Sequence, residues 1–358
     1  MKSKKLSIFL LGPGNVGKEL LKLIIENKLT LEQNYDLDIR ITGIFNSKYG
    51  INNKEGIHPD QVNNICSGLT LTSDTITSDN LPNLISHNPK PSILIDTTSS
   101  PVSFDILLTA LKSGSFVVLS NKRPLASSYS VFHKLHSYGL NRIFYETTVG
   151  AGLPVIRTVN TFMETGDEIL EIKGCFSGTL GFIFSSLEDG MPFSKCVEQA
   201  KKMGYTESDP REDLSGQDVA RKIIILSRMI GMEIEMEDIE VQKLYPSSFD
   251  KYTVKEFMGV ISKLDKKYQE KFQKENKRNN TFRYVAKVSK KGCTIKMTEA
   301  AKNSDLGNLS GPDNIIIFKT KRYFDRPLVI KGPGAGPIVT AAGVFDDIIS
   351  IIKIIHGV

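Results

Sequence analysis

The chain has 358 residues, 40% of them hydrophobic and 24% charged, with a formal net charge of +6, a length and mix that suit two globular domains. The basic excess comes partly from KLDKKYQEKFQKENKRNN at 263–280, where bases alternate with acids, so a solvated helix face fits and nucleic-acid binding does not. Cys66, Cys175, Cys196 and Cys293 lack C-x-x-C spacing or a paired His, no apolar stretch approaches membrane-spanning length, and MKSKKLSIFLLGPG holds no signal-peptide block; these features exclude a zinc site and a membrane partner and fit a reduced, cytoplasmic protein.

Leu6–Leu11 is an apolar run ending in Gly12-Pro13-Gly14-Asn15-Val16-Gly17, and the helical pattern KELLKLIIENK follows. Strand, G-x-G-x-x-G, then helix is the setting in which glycines let the backbone approach a pyrophosphate and the helix start offers it free N–H groups. Leu37–Phe45 reads as the next strand. A NAD enzyme places an acid at its end; here stand Asn46, Ser47 and Lys48. The reading therefore leans to NADP, with NAD also open, and Lys48 either attracts the 2′-phosphate or is simply exposed. Residues 50–80 are polar and read as a helix with loops. Ser92–Thr97 is a buried-strand pattern ending in Asp96-Thr97-Thr98, whose hydroxyls would face the cofactor crevice. The helix FDILLTALKSG, the strand SFVVLS and the turn Asn121-Lys122-Arg123-Pro124 come next.

RIFYETT at 142–148 reads as a strand running into Val149-Gly150-Ala151-Gly152-Leu153-Pro154, with Glu146 just upstream. One carboxylate plus turn carbonyls would suit a hard cation; a plain tight turn also fits. Beyond Pro154 the pattern changes to a helix (PVIRTVNTFMETG), a strand (EILEIKGCFSG) and a Gly-rich turn at Gly178-Thr179. Next stands GYTESDPREDLSGQDVARK at 204–222, which crowds Glu207, Asp209, Glu212, Asp213 and Asp218 among Arg211, Arg221 and Lys222. Pro210 bars its first half from a helix interior, and Asp213 or Ser215 can cap the helical pattern DVARKIIILSRMI. Asp218 and Lys222 lie one helical turn apart, which suits either a surface ion pair or a proton-transfer lysine with its carboxylate. Residues 230–330 alternate strands (RYVAKVS, CTIKMTEA, NIIIFKT) with one charged helix. Lys331-Gly332-Pro333-Gly334-Ala335-Gly336 then leads into the helix PIVTAAGVFDDIISIIKII, as a second phosphate turn or as a return to the first domain.

The run at 204–222 resembles the signature of homoserine dehydrogenases, G-Y-[TA]-E-x-D-P-x-x-D-L-x-G-x-D-x-A-x-K, at every fixed position. The turns N-K-x-P-[LF]-[AS] at 121–126, E-x-x-V-G-A-G-[LI]-P at 146–154, G-x-x-[SN]-G-T at 174–179 and P-L-V-I-x-G-x-G-A-G at 327–336 are similar to that family's as well. The resemblance implies an α/β protein with a discontinuous Rossmann-type domain (1–153 and 331–358) and an α+β substrate and dimerisation domain with a mixed sheet (154–330). It implies a monofunctional enzyme without a kinase or ACT domain, acting in threonine and methionine biosynthesis as a homodimer. Lys222 would move the hydroxyl proton, oriented by Asp218, with a pKa lowered by apolar surroundings and other cations, and Lys122 would polarise the carbonyl or share the relay. Glu207 and Asp213 would hold the amino acid's ammonium, and Gly178, Thr179, Gly204 and Tyr205 would shape the pocket. Gly12 to Gly17, Thr97, Thr98, Ser120, Lys122 and Gly336 would contact the cofactor. Glu146 and the carbonyls of Val149, Ala151 and Leu153 would hold a structural monovalent cation, sodium. Rival readings are a cysteine-dependent semialdehyde dehydrogenase, for which no Cys sits in a motif with a nearby His, and a catalytically silent NADP-binding sensor, which needs no acid–lysine pair.

Overall fold

A computed structural model describes residues 4–69, 71, 76–101, 103–139 and 141–357. The chain divides into two compact units, Met1–Gly152 with Gly336–Val358, and Leu153–Ala335. The first is built on a seven-stranded sheet of β1 (Lys4–Leu11), β2 (Leu37–Phe45), β3 (Tyr49–Asn52), β4 (Ile76–Thr77), β5 (Ser92–Asp96), β6 (Phe116–Leu119) and β7 (Ile143–Phe144), in the order β4-β3-β2-β1-β5-β6-β7. The strands β2, β1, β5, β6 and β7 are parallel, and β3 and β4 form an antiparallel edge. Strand order reverses between β1 and β5, and the crevice at that switch point is where such sheets bind ligands.

Two differences from the sequence reading have plain causes. The polar stretch 50–80 contains β3, β4 and the helix Pro59–Cys66; the strands are too short and too polar for an alternation signal, and residues 70 and 72–75 lie outside the described residues. The strand expected through 148 ends at Phe144, because Glu146–Thr148 forms a 3-10 turn in which the Thr148 N–H and hydroxyl both reach the Tyr145 carbonyl.

The return of the chain completes this unit's core. Ala341, Val344, Ile348, Ile351 and Ile352 of the helix Pro337–His356 pack with Leu20, Leu21 and Ile24 of the helix Asn15–Tyr35 and with the strands β1 and β2. At about 1.5–3 kcal/mol per buried aliphatic side chain, this seam is a large share of the unit's stability.

The second unit holds a mixed six-stranded sheet: β8 (Ile169–Cys175), β9 (Ile239–Val241), β10 (Asn280–Ser289), β11 (Gly292–Ala301), β12 (Asp313–Thr320) and β13 (Leu328–Pro333), ordered β13-β12-β8-β10-β11-β9. All neighbours are antiparallel except β11 and β9. On one face Cys175, Val285, Ile315 and Ile317 are sealed by Leu306 and Leu309, and the helices Gly178–Glu188, Gln217–Met229 and Asp265–Asn276 pack on β10. The charged segment at 263–280 is therefore a helix that buries Tyr268 and Phe272 and leaves its lysines to solvent. Pairing of β13 continues through Pro333, so the chain leaves this unit at Gly336 and not at residue 331.

Candidate active site

In the first unit, the turn after β1 is fixed by its neighbours. The Gly12 N–H donates to the Phe45 carbonyl at 2.8 Å, and the Gly14 N–H to the Gly12 carbonyl at 2.8 Å. Gly12 has φ +89°, and a Cβ there would lie 2.8 Å from Thr98 Cγ2; one on Gly17 would strike the Gly12 carbonyl. Both positions need glycine, for conformation and for close approach. The helix starting at Asn15 has no side-chain cap, which leaves the N–H groups of its first turn available to an anion.

The end of β5 is wired by Asp96, which is wholly buried. Its Oδ1 accepts the Thr98 N–H (2.9 Å) and hydroxyl (2.7 Å), and its Oδ2 accepts Asn121 Nδ2–H (3.0 Å). Its carbonyl accepts the Ser120 N–H at 2.9 Å. The Thr97 hydroxyl bonds back to the Gly12 carbonyl at 2.7 Å. Asp96 thus sets the positions of Thr98, Ser120 and Asn121 at once, while Thr97 is held by the Leu11 and Gly12 carbonyls. Lys122, half-buried, stands at the N-cap of the short helix Arg123–Ala126, with its carbonyl on the Ala126 N–H.

A cavity of about 830 Å³ opens on Gly12, Pro13, Gly14, Thr97 and Thr98. Its charged lining is Lys18 and Asp79, neither singled out by the sequence reading, and Asn46 and Ser47 add neutral polar groups. Lys48 is exposed on the turn between β2 and β3 and is not part of the wall; its N–H donates to Asn46 Oδ1 at 2.8 Å.

In the second unit, Ser177 caps the helix Gly178–Glu188 through the Leu180 N–H, and the Thr179 hydroxyl donates to the Tyr205 carbonyl at 2.6 Å. Arg211 grips Asp209 through three nitrogen–oxygen contacts of 2.7–3.0 Å and reaches the carbonyls of Phe249, Asp250 and Tyr252, which anchors the acidic loop. Asp213 does not cap the long helix. It lies in the short helix Arg211–Leu214, and its Oδ2 accepts the Glu207 N–H at 2.9 Å. Gly216, at φ +76°, starts the helix Gln217–Met229 without a side-chain cap.

On that helix Lys222 Nζ stands 2.8 Å from Asp218 Oδ2 and donates to the Phe176 carbonyl at 2.7 Å. Lys222 is 8% exposed, and its neighbours in these contacts are oxygens rather than the cations expected. Burial pushes Asp213 up to about 6, and the carboxylates of Glu207 and Asp218 add to the rise. Glu207, Gly204 and Tyr205 are exposed, and Thr179 is buried. Lysine, carboxylates and the hydroxyl-bearing turn thus share one surface of the unit, with negative charge in excess around Asp213.

The homoserine dehydrogenase family model matches residues 154–349, more than half of the chain, and the model of that family's NAD-binding domain matches residues 12–146. The chain belongs to the homoserine dehydrogenase family. A homoserine dehydrogenase of Paracoccidioides brasiliensis is 36% identical over 293 residues, covering 78% of this chain and 79% of its own. A chloroplastic bifunctional aspartokinase/homoserine dehydrogenase of Zea mays is 37% identical over 97% of this chain, which spans 38% of that protein's length. A hyperthermophilic archaeal homoserine dehydrogenase solved in complex with NADPH has a TM-score of 0.73 at 25% identity, covering 97% of both chains. The first unit is accordingly the family's nicotinamide-nucleotide-binding domain and the second its catalytic domain.

In a homoserine dehydrogenase a cysteine nucleophile has no place, and here burial holds the Cys175 and Cys196 thiols up at about 12. Glu146 is buried, its N–H donating at 3.1 Å to the equally buried Asp347 carboxylate. Ala151 has φ +53°, a costly setting for a residue with a Cβ. Two buried carboxylates beside such a turn suit a hard cation with oxygen ligands. Leu153 is the first residue of the second unit, and its carbonyl accepts the Val155 N–H at 2.8 Å. Among the described residues no three His, Cys, Asp or Glu side chains converge to hold a metal ion, and no helix is long and apolar enough to cross a membrane.

Proposed function

We propose that this chain catalyses the NAD(P)-dependent interconversion of L-homoserine and L-aspartate 4-semialdehyde, with the second unit's acid–lysine set as the proton-transfer and substrate site. The observation that carries the reading is the Lys222–Asp218 pair on the Phe176 carbonyl, beside an Asp213 carboxyl that burial and the nearby Glu207 and Asp218 carboxylates push up to about 6. Bound in the first unit, the nicotinamide supplies or takes up the hydride. In the reducing direction Lys222 Nζ–H gives its proton to the aldehyde oxygen as that oxygen gains negative charge; in the oxidising direction it recovers the proton from the hydroxyl. Asp218 holds the Lys222 ammonium in place. Lys122 polarises the carbonyl or shares the relay. Asp213 and Glu207 take the substrate ammonium, a charge-assisted pairing that also relieves the crowding of acids. Gly178, Thr179, Gly204 and Tyr205 shape the pocket.

On the cofactor side, the turn Gly12 to Gly17, Thr97, Thr98, Ser120 and Gly336 would receive the nucleotide. NADP is the preferred form on this reading, because no acid ends β2, where Asn46, Ser47 and Lys48 stand. Glu146 with the carbonyls of Val149, Ala151 and Leu153 would hold a sodium ion, and the protein would work as a cytoplasmic homodimer. An assay of reduced-nicotinamide absorbance with homoserine and each cofactor tests the reading. Homoserine-dependent reduction of NADP is expected, and its absence with both cofactors would overturn the proposal.

A further inference from the structure

Asn314 sits in β12 at 0% exposure, and neither Oδ1 nor Nδ2 has a hydrogen-bond partner in the protein. Among the described residues no other buried side chain leaves two polar atoms unanswered. Such groups are rare in native cores and cost about 1–3 kcal/mol each, whereas an aliphatic residue would suit this strand position at no such cost. What lies over the amide is the Gly-rich return of the chain. β12 pairs with β13 up to Asp313 opposite Pro333, with Asn314 opposite Gly332. The next residue, Gly334, crosses so close that a Cβ on it would overlap the Asn314 amide. Gly336 then takes φ +126° before the helix Pro337–His356 begins. Among the described residues none bonds to the backbone of Gly334 or Ala335. An unsatisfied carboxamide is therefore pressed against the Gly334 and Ala335 peptide groups, which no described residue ties, while the Gly336 carbonyl is held by the Thr340 N–H and hydroxyl where the chain passes from the second unit back to the first.

We infer that Asn314 is a positioning residue for the nucleotide: the Gly334–Gly336 turn re-seats on its carboxamide when the cofactor binds, with Nδ2–H donating to a turn carbonyl and Oδ1 accepting a turn N–H. The inference rests on the proposed placement of Gly336 beside the nicotinamide. In the ligand-free protein the amide costs stability, and in the loaded protein it returns that cost as affinity. Loss of the amide should therefore separate folding from binding, which a merely structural residue would not do.

The test is NADPH titration by fluorescence together with thermal unfolding, on the full chain. Asn314→Leu, of similar volume and without polar atoms, should keep or raise the ligand-free unfolding temperature while weakening NADPH about 10-fold. Gly334→Ala should weaken NADPH by a similar factor, and Gly334→Ala with Asn314→Ala should bind no more weakly than either single variant, because both changes remove the same amide–turn contact. Should Asn314→Leu not fold, the Gly334 cycle carries the decision. NADPH bound by Asn314→Leu within about twofold of the parent, or a strictly additive Gly334 cycle, would overturn the inference while leaving the enzyme assignment intact. A parent protein that does not bind NADPH would sink both.

Discussion

Each of the two units sets an aspartate at its candidate site, Asp96 buried in the first and Asp213 half-buried in the second, and they treat it in opposite ways. Asp96 in the nucleotide half accepts a backbone N–H, a hydroxyl and an amide N–H, so its charge is answered entirely from within the fold. Asp213 in the substrate half accepts the Glu207 N–H and meets Thr179, but it has Glu207 and Asp218 as near charges and is pushed up to about 6. A carboxylate that is already satisfied can shape a cradle of backbone and hydroxyl groups. One that is crowded by other carboxylates favours a cation from outside. Excess charge is thus concentrated where an amino acid's ammonium would bind, and withheld where a pyrophosphate would meet N–H groups.

The sharpest break of this contrast is at Lys222. Lys222→Ala should lower kcat about 10³- to 10⁴-fold, within the range of lost general acid–base catalysis, and leave the NADPH Kd nearly unchanged, because its bonds to Phe176 and Asp218 are made within the second unit. Near-normal turnover would remove it from the chemistry. Asp213→Asn should raise the homoserine KM about 30- to 100-fold. The same change should also stabilise the ligand-free protein at alkaline pH. A folded pKa raised to about 6 means that Asp213 favours the folded state below its ordinary pKa near 3.8 and that this contribution disappears as pH rises through about 6. The Asn variant should therefore match the parent at pH near 4 and exceed it by about 1–2 kcal/mol at pH near 8. Equal stability at both pH values would show that Asp213 is not strained. Glu207→Gln, at an exposed position, should raise KM about 5- to 10-fold without altering the unfolding curve. In the other half Asp96→Asn should weaken NADPH about 5-fold and lower the unfolding temperature, since one donor then loses its acceptor; an unchanged Kd would mean that Asp96 serves the fold alone.

Which parts of this were legible in the sequence follows from the range of the interactions. The β1 turn and its helix, the Asp218–Lys222 spacing and the helical pattern of the last helix depend on local periodicity or on one turn of helix, and all are written in neighbouring residues. The Phe176 carbonyl under Lys222 is 46 residues away in the chain, and the Asn121–Asp96 bond spans 25. No local pattern marks either. Asp213 read as a cap because it precedes a helical pattern, yet Gly216 can turn the chain by itself at φ +76°, which frees the carboxylate for the Glu207 N–H. Lys18 carries no motif of its own; only the segments after β4 and β5, which bring Asp79, Thr97 and Thr98 to the same cavity, make it part of the wall.

The smallest expected effect concerns the choice between NADP and NAD, and it turns on Lys18, Lys48 and Asp79. Lys48 is exposed, and its backbone is held by Asn46, whose Oδ1 also accepts the Tyr49 N–H at 2.8 Å. An exposed ammonium reaching a 2′-phosphate through solvent is weakened by salt, so Lys48→Ala should change the NADPH Kd only about 2- to 3-fold, less at high ionic strength, and the NADH Kd not at all. Lys18 lines the cavity from the first turns of the helix that offers its N–H groups to the pyrophosphate. Both nucleotides carry a pyrophosphate, so Lys18→Ala should weaken NADPH and NADH by the same factor. Asp79, facing the same cavity, would repel an added phosphate, and Asp79→Asn should improve NADPH relative to NADH. Titrations with both nucleotides at two salt concentrations separate the three roles. A Lys48→Ala loss that is equal for NADPH and NADH would show that this lysine does not read the 2′ position, and discrimination would then rest with Asp79 and with the missing acid at the end of β2.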